Sequence, residues 1–175
     1  MKLTEKNLVF DFNSSLSIQY DETEYYRKGF QTISDDISAV DFITIEQNNG
    51  YLVEIKDYRH PDTELISYKE LIPILIKKIL STLSSIIPMK VMASKIDEKT
   101  IAESFSQINQ LTIVLHIELP SKLSKQEMAF FRRDKLELEL KRKLLPIYNY
   151  LYVVSSTSKV ALPWSVEDKQ CTSTN

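Results

Sequence analysis

"VDFITIEQNNGYLVEIK", residues 40–56, sets two strand-like runs rich in β-branched and aromatic residues on either side of Asn48-Asn49-Gly50. That pattern predicts a β-hairpin. Side chains alternate faces along a strand, so Glu54 and Lys56 share one face of the second run while Val53 and Ile55 take the other. If Asn49-Gly50 is a two-residue turn, Asp41 lies opposite Tyr58, on the Glu54 and Lys56 face. A four-residue loop, Gln47 to Gly50, keeps that face and puts Asp41 opposite Lys56, diagonal to Glu54. In the tight-turn register Asp41 and Glu54 are offset by roughly 13 Å along the strand, too far to share one metal ion. A shared site therefore requires the looser loop or a bulge.

Two carboxylates and a lysine on one face suit metal-assisted phosphodiester hydrolysis. The carboxylates hold a hard divalent cation, Mg2+ or Mn2+, which stabilises charge on the phosphate and generates hydroxide, while the lysine orients water or supports the transition state. Asp41 and Glu54 are the candidate ligands, the backbone carbonyl of Ile55 a third oxygen, and Lys56 the cationic partner; the candidate catalytic residues are Asp41, Glu54 and Lys56. The competing reading is a solvated hairpin face with a cross-strand Asp41 to Lys56 ion pair, a contact of little energetic weight.

The stretch resembles the PD-(D/E)XK nuclease superfamily, whose signature is an Asp at the start of one strand and Glu-x-Lys on the next. Val40 stands where the superfamily loosely keeps a proline, and the twelve residues between Asp41 and Glu54 are similar to the spacing in archaeal Holliday-junction resolvases. The wider run "IQYDETEYYRKGF" to "YLVEIKDYRH" resembles uncharacterised bacterial proteins with the same hairpin. The resemblance implies a restriction-endonuclease-like core of αβββαβ order and a metal-dependent nuclease, acting on DNA more than RNA, as a subunit of a bacterial defence or repair assembly. It also implies an upstream acid, for which Asp21, Glu22 and Glu24 are the candidates.

Composition sets limits on the alternatives. The 175 residues suit a single domain, expected over 1–165, with 166–175 as a disordered tail. Two glycines, Gly29 and Gly50, exclude Gly-rich phosphate loops and dinucleotide fingerprints. One cysteine, Cys171, excludes an internal disulfide or a multi-cysteine zinc site. A net charge of −2 gives no basic excess toward nucleic acid, which suggests a protein partner or a homo-oligomer that helps deliver the substrate. The charged start "MKLTEKNLVFDF" does not read as a secretory signal, and no apolar run looks long enough for a membrane span. A cytoplasmic protein without a membrane partner is the expectation.

Along the chain, "NLVFDF" and "LSIQYDE" read as a hairpin around Asn13-Ser14-Ser15, and "TEYYRKGFQTISDDIS" as irregular with a short helix. "HPDTELISYKELIPILIKKILSTLSSII" reads as a helix with a broad apolar face, started or kinked at Pro73. "QLTIVLHIEL" is an interior strand, "SKQEMAFFRRDKLELELKRKLL" an amphipathic helix, and "YLYVVSS" a last strand. The fold class expected is α/β, a mixed central sheet flanked by helices.

Other residues have competing uses. Arg59, His60, Lys77 and Lys78 are candidate nucleic-acid contacts, against an exposed strand end for the first two and a solvent stripe for the lysines. His116, within an apolar strand, reads as a hydrogen-bonded structural histidine. Tyr20, Tyr25 and Tyr26 read as packing beneath the hairpin, and Trp164 as a pin for the tail or a partner contact. The basic cluster from Arg132 to Lys143 is diluted by Asp134, Glu137 and Glu139 and reads as a solvated helix face.

Overall fold

The computed structural model describes residues 1–12, 16–61, 63–125, 127 and 131–169. A five-stranded mixed sheet is ordered β3-β4-β5-β6-β7, from strands Leu16–Gln19, Phe42–Glu46, Asn49–Asp57, Gln110–Glu118 and Tyr150–Val154. The first three run antiparallel to their neighbours, and β6 and β7 continue parallel from β5. A three-stranded sheet, β1-β2-β8, joins Lys2–Glu5, Leu8–Asp11 and Ser165–Asp168. Helices α1 (Glu24–Lys28), α2 (Tyr68–Met92), α3 (Ile96–Phe105) and α4 (Arg133–Leu144) complete the elements used below.

Each face of the large sheet has its own cover. Ile43, Ile45, Leu52, Ile113, Leu115, Leu151 and Val153 point into a core shared with α2, α3 and α4. The opposite parity, Phe42, Val53, Ile55, Val114 and Val154, packs against Phe10, Phe12 and Trp164 of the small sheet and its approach. Strand alternation thus sends Asp41, Glu54 and Lys56 to the helix side, beneath α2.

The long helix starts with a capping box. Ser67 accepts from the Glu70 amide and the Glu70 carboxylate accepts from the Ser67 amide. The helix therefore begins ahead of Pro73, which lies inside it and is not its start. By length and composition α2 is apolar enough to cross a membrane, contrary to the expectation that no such run exists. Here Leu71, Leu75, Ile79, Ile86 and Met89 are buried in the core beneath it.

Several local expectations change. The β2 and β3 runs do not form a hairpin; β2 pairs with β1 and β8 in the small sheet, while β3 pairs with β4, and residues 13–15 between them lie outside the described residues. A helical stretch falls between β3 and β4, so the order at this end differs from αβββαβ. The expected tail from residue 166 overlaps strand β8, Ser165–Asp168; residues 170–175, including Cys171, lie outside the described residues.

The decisive hairpin turns at Gln47 and Asn48, with Glu46 paired to Asn49 and Gln47 at a φ of 55°. Gly50 is inside β5 for a different reason than a turn. A Cβ there would sit 2.6 Å from Ile108 Cδ1 and 2.9 Å from Phe105 Cε2, so its missing side chain lets the end of α3 approach the strand. The resulting register pairs Phe42 with Val53 and carries Asp41 directly opposite Glu54.

Candidate functional site

Three elements meet where β4 begins. The Tyr20 amide donates to the Asp41 carbonyl at 2.8 Å and the Val40 amide to Thr82 Oγ1 of α2 at 3.1 Å, which fixes the backbone leading into β4. Asp41 then turns one oxygen, Oδ2, to the Ile55 amide at 2.5 Å. Because a strand residue's amide and carbonyl leave the same edge, the Ile55 carbonyl faces the same side as that amide.

Glu54 is held by two lysines. Lys78 of α2 donates to Glu54 Oε1 at 2.7 Å and Oε2 at 2.9 Å, and its ammonium stands 3.7 Å from Asp41 Oδ1. Lys56 Nζ lies 2.8 Å from Glu54 Oε1. The Glu54 side chain is 3% exposed and that of Asp41 10%, so this is no solvated hairpin face, and the expected Asp41 to Lys56 pair is replaced by Glu54 contacts to both lysines. Burial, then the neighbouring Glu54 charge, pushes the Asp41 carboxyl well above its usual range, with Lys78 and the Ile55 amide opposing. Burial opposes the Lys78 charge, yet Glu54 and Asp41 hold its pKa above the ordinary value.

Of the three upstream acids, Asp21 is the one whose carboxyl feels the charges of Glu54 and Lys78. Burial first, then the charges of Glu5 and Glu22, pushes its carboxyl up to about 7. Its Oδ1 is buried without a hydrogen-bond partner among the described residues. Glu22, which lines the same cavity as Asp21, pairs with Arg27 at 2.6 Å, and Glu24 pairs with Lys28 and Lys95 at 2.7 and 3.6 Å. An open cavity of about 260 Å³ beside the site is lined by residues that include Asp21, Glu22, Tyr26, Arg27, Gln31 and Lys78.

Two members of the site were not assigned to it from the sequence. From the sequence Lys78 reads, with Lys77, as a nucleic-acid contact or a solvent stripe; only Lys77 fits the stripe, in an exposed pair with Asp36 at 2.7 Å. The signal was its spacing, three residues after Leu75 and four before Thr82, on the side of α2 that meets the sheet. Glu5, at the end of β1, is the other. Burial raises its pKa, with Lys6 opposing and Glu54 adding to the shift, and it accepts from Gln19 Nε2 at 3.4 Å. Nothing local in the sequence ties β1 to the hairpin.

The far end of β5 is organised differently. Asp57, 1% exposed, accepts from the Arg59 amide at 3.1 Å and from its Nε and Nη2 at 2.8 and 2.9 Å, and Arg59 also bonds Asp168 of β8. Arg59 is thus a structural cation and not an open phosphate contact. His60 follows it, half-buried, in the turn after β5. On β6, His116 Nε2 meets Glu118 Oε1 at 2.9 Å and the Ser156 amide donates to the same oxygen at 2.5 Å. Despite burial, these hydrogen bonds bring the Glu118 carboxyl down to about 2.

The aromatic residues are structural. Tyr20 packs on Tyr26 and its hydroxyl bonds Ser85, Tyr25 stacks on Phe30, and Trp164 packs on Phe12 and Tyr51. In the basic cluster Arg132 pairs with Asp134, Lys141 with Glu137 and Arg142 with Glu139.

Asp41, Glu54 and the Ile55 carbonyl are an all-oxygen donor set of the kind a hard divalent cation takes, and Lys78 already supplies positive charge between the two carboxylates. Among the described residues no three acidic, histidine or cysteine side chains already stand together as a metal cage. Two carboxylates, a carbonyl and waters are the set that fits Mg2+, which keeps much of its hydration.

No family model and no solved structure matches the chain. Among curated proteins it is similar to the cysteine–tRNA ligase of Neisseria meningitidis serogroup A, 29% identical over 204 aligned residues. The match covers 94% of this chain but 29% of the ligase, so the chain spans less than a third of that relative's length.

Proposed function

We propose that this chain is a Mg2+- or Mn2+-dependent nuclease of the PD-(D/E)XK type that hydrolyses phosphodiester bonds in nucleic acid, DNA in preference to RNA. One observation carries the reading: Asp41 stands directly opposite Glu54 in the hairpin register, with Lys56 next on the same face. A buried carboxylate pair is costly to maintain and adds little stability over apolar residues of the same size. Function is the better reason for it.

Asp41, Glu54 and the Ile55 carbonyl would hold the cation, which when bound supplies charge stabilisation at the phosphate and an activated water. Lys56 positions that water, with its ammonium steadied by Glu54. Asp21 is the additional acid bordering the site. The mixed sheet with α2 over Glu54 is compatible with a restriction-endonuclease-like core. The wider setting proposed is a cytoplasmic defence or repair assembly, in which a protein partner or second copy compensates for the lack of net positive charge.

A second reading has its own observation: Lys78 fills the place between the carboxylates that a cation would take. In that reading the chain is a catalytically silent nuclease fold that binds protein partners. Cleavage of labelled single- and double-stranded DNA and RNA with Mg2+ or Mn2+ separates the two. Transfer RNA belongs in the panel because the similar protein is a tRNA ligase. The nuclease cuts with metal and loses cutting in Asp41→Ala and Lys56→Ala at matched folding; the silent module cuts nothing and binds no metal.

A further inference from the structure

Lys78 and a divalent cation cannot occupy the same oxygens. The ammonium takes both Glu54 oxygens, at 2.7 and 2.9 Å, and lies 3.7 Å from Asp41. A bound Mg2+ needs carboxylate oxygens at about 2.0–2.1 Å. A cation that coordinates Glu54 must therefore displace Lys78, and like charges crowded into a buried site repel strongly. The destination is beside it. Lys78 lines the 260 Å³ cavity together with Asp21, and Asp21 Oδ1 is a buried acceptor without a partner among the described residues. A lysine reaches a new acceptor by rotating its flexible four-carbon stem, with no movement of α2.

Resting on the metal-site reading above, we infer that Lys78 is an exchangeable counter-ion: it pairs with Glu54 and Asp41 in the metal-free chain and turns to Asp21 in the adjacent cavity when a divalent cation binds. The lysine keeps two buried carboxylates together before metal arrives. It also sets metal affinity, because binding must break its two hydrogen bonds to Glu54. The role is one of positioning: Lys78 acts through the carboxylates and the cation.

The test measures Mn2+ binding by calorimetry and the acylation rate of each lysine by mass spectrometry, on the full chain. In wild type, Mn2+ should raise the acylation rate of Lys78 several-fold and leave exposed Lys77 unchanged. Lys78→Met should bind Mn2+ at least about tenfold more tightly, with Lys78→Arg, which keeps the charge, close to wild type. Asp21→Asn, which weakens the destination, should bind Mn2+ more weakly. If Mn2+ binds wild type through Asp41 and Glu54 while Lys78 labelling stays constant and Lys78→Met gains nothing, the counter-ion role is overturned and the metal site stands. If wild type and Lys78→Met both fail to bind Mn2+, the metal site falls and the exchange falls with it. The wild-type labelling decides the matter even where Lys78→Met does not fold.

Discussion

The middle of β5 and its C-terminal end carry buried carboxylates of opposite character. Near the middle Asp41 and Glu54 face each other across the hairpin, and burial and mutual repulsion raise the Asp41 pKa. Nearby, Asp21 keeps an oxygen with no partner among the described residues. At the C-terminal end, Asp57 is gripped by three donors of Arg59, and Glu118 by His116 and the Ser156 amide. Buried charges that are matched by opposite charges and hydrogen bonds hold structure together, whereas two carboxylates set against each other and an oxygen left over are kept at a cost in stability and mark places where chemistry or ligand binding completes the set. The same strand thus pins the small sheet at its C-terminal end and presents a site near its middle, where β4 begins.

The largest stability effect should fall at the structural end. Asp57→Ala leaves the Arg59 guanidinium partly buried against Asp168 alone and should cost on the order of 3 kcal/mol in urea unfolding. An equal loss from Asp41→Ala would break the contrast. Gly50→Ala comes next. It drives a methyl group into Ile108 and Phe105, and overpacking of this kind costs about 1–3 kcal/mol, read as a lower melting temperature. It sharpens the comparison because it strains the strand that sets Asp41 opposite Glu54.

The smallest effect is one of pH. Glu118 has a folded pKa of about 2, below its usual 4.5, so the unfolded chain binds more protons as pH falls. Its contribution is fully present above about pH 4.5 and is lost as pH falls toward 2. With solvent screening allowed for, it should be on the order of 1 kcal/mol. Urea unfolding of wild type and Glu118→Gln should therefore differ at pH 6 and converge near pH 2. Asp41 has the opposite sign: its raised pKa gives stability present below the usual carboxylate range and lost as pH rises.

How much of this was legible in the sequence depended on the range of the contacts. Strand alternation put Asp41, Glu54 and Lys56 on one face whichever loop joined the strands, and the mixed sheet with covering helices followed from the order of periodic segments. The register did not follow. Asn49-Gly50 carries the strongest local turn signal, but Gly50 is glycine to admit Phe105 and Ile108, and the chain turns at Gln47 and Asn48 instead. Long-range partners were also hidden. Glu5 reaches the site only because β1 folds back in a second sheet, and β8 escaped notice because its partner strand lies at the opposite end of the chain. Lys77 and Lys78 are adjacent in sequence but turn different ways, Lys77 to exposed Asp36 and Lys78 to buried Glu54, a difference that their shared contact-or-stripe reading does not resolve.

The most direct measurement compares Asp41→Asn with Asp57→Asn, scoring Mn2+-dependent cleavage and melting temperature in the same buffer. Asparagine at 41 can still accept from the Ile55 amide while giving up a buried charge, so Asp41→Asn should melt at or above the wild-type temperature and lose cleavage by about a thousandfold. Asp57→Asn should melt several degrees lower and, below that temperature, cut at the wild-type rate. The reverse pattern, or cleavage that survives in Asp41→Asn, would contradict the assignment of the hairpin carboxylates to a metal-dependent site.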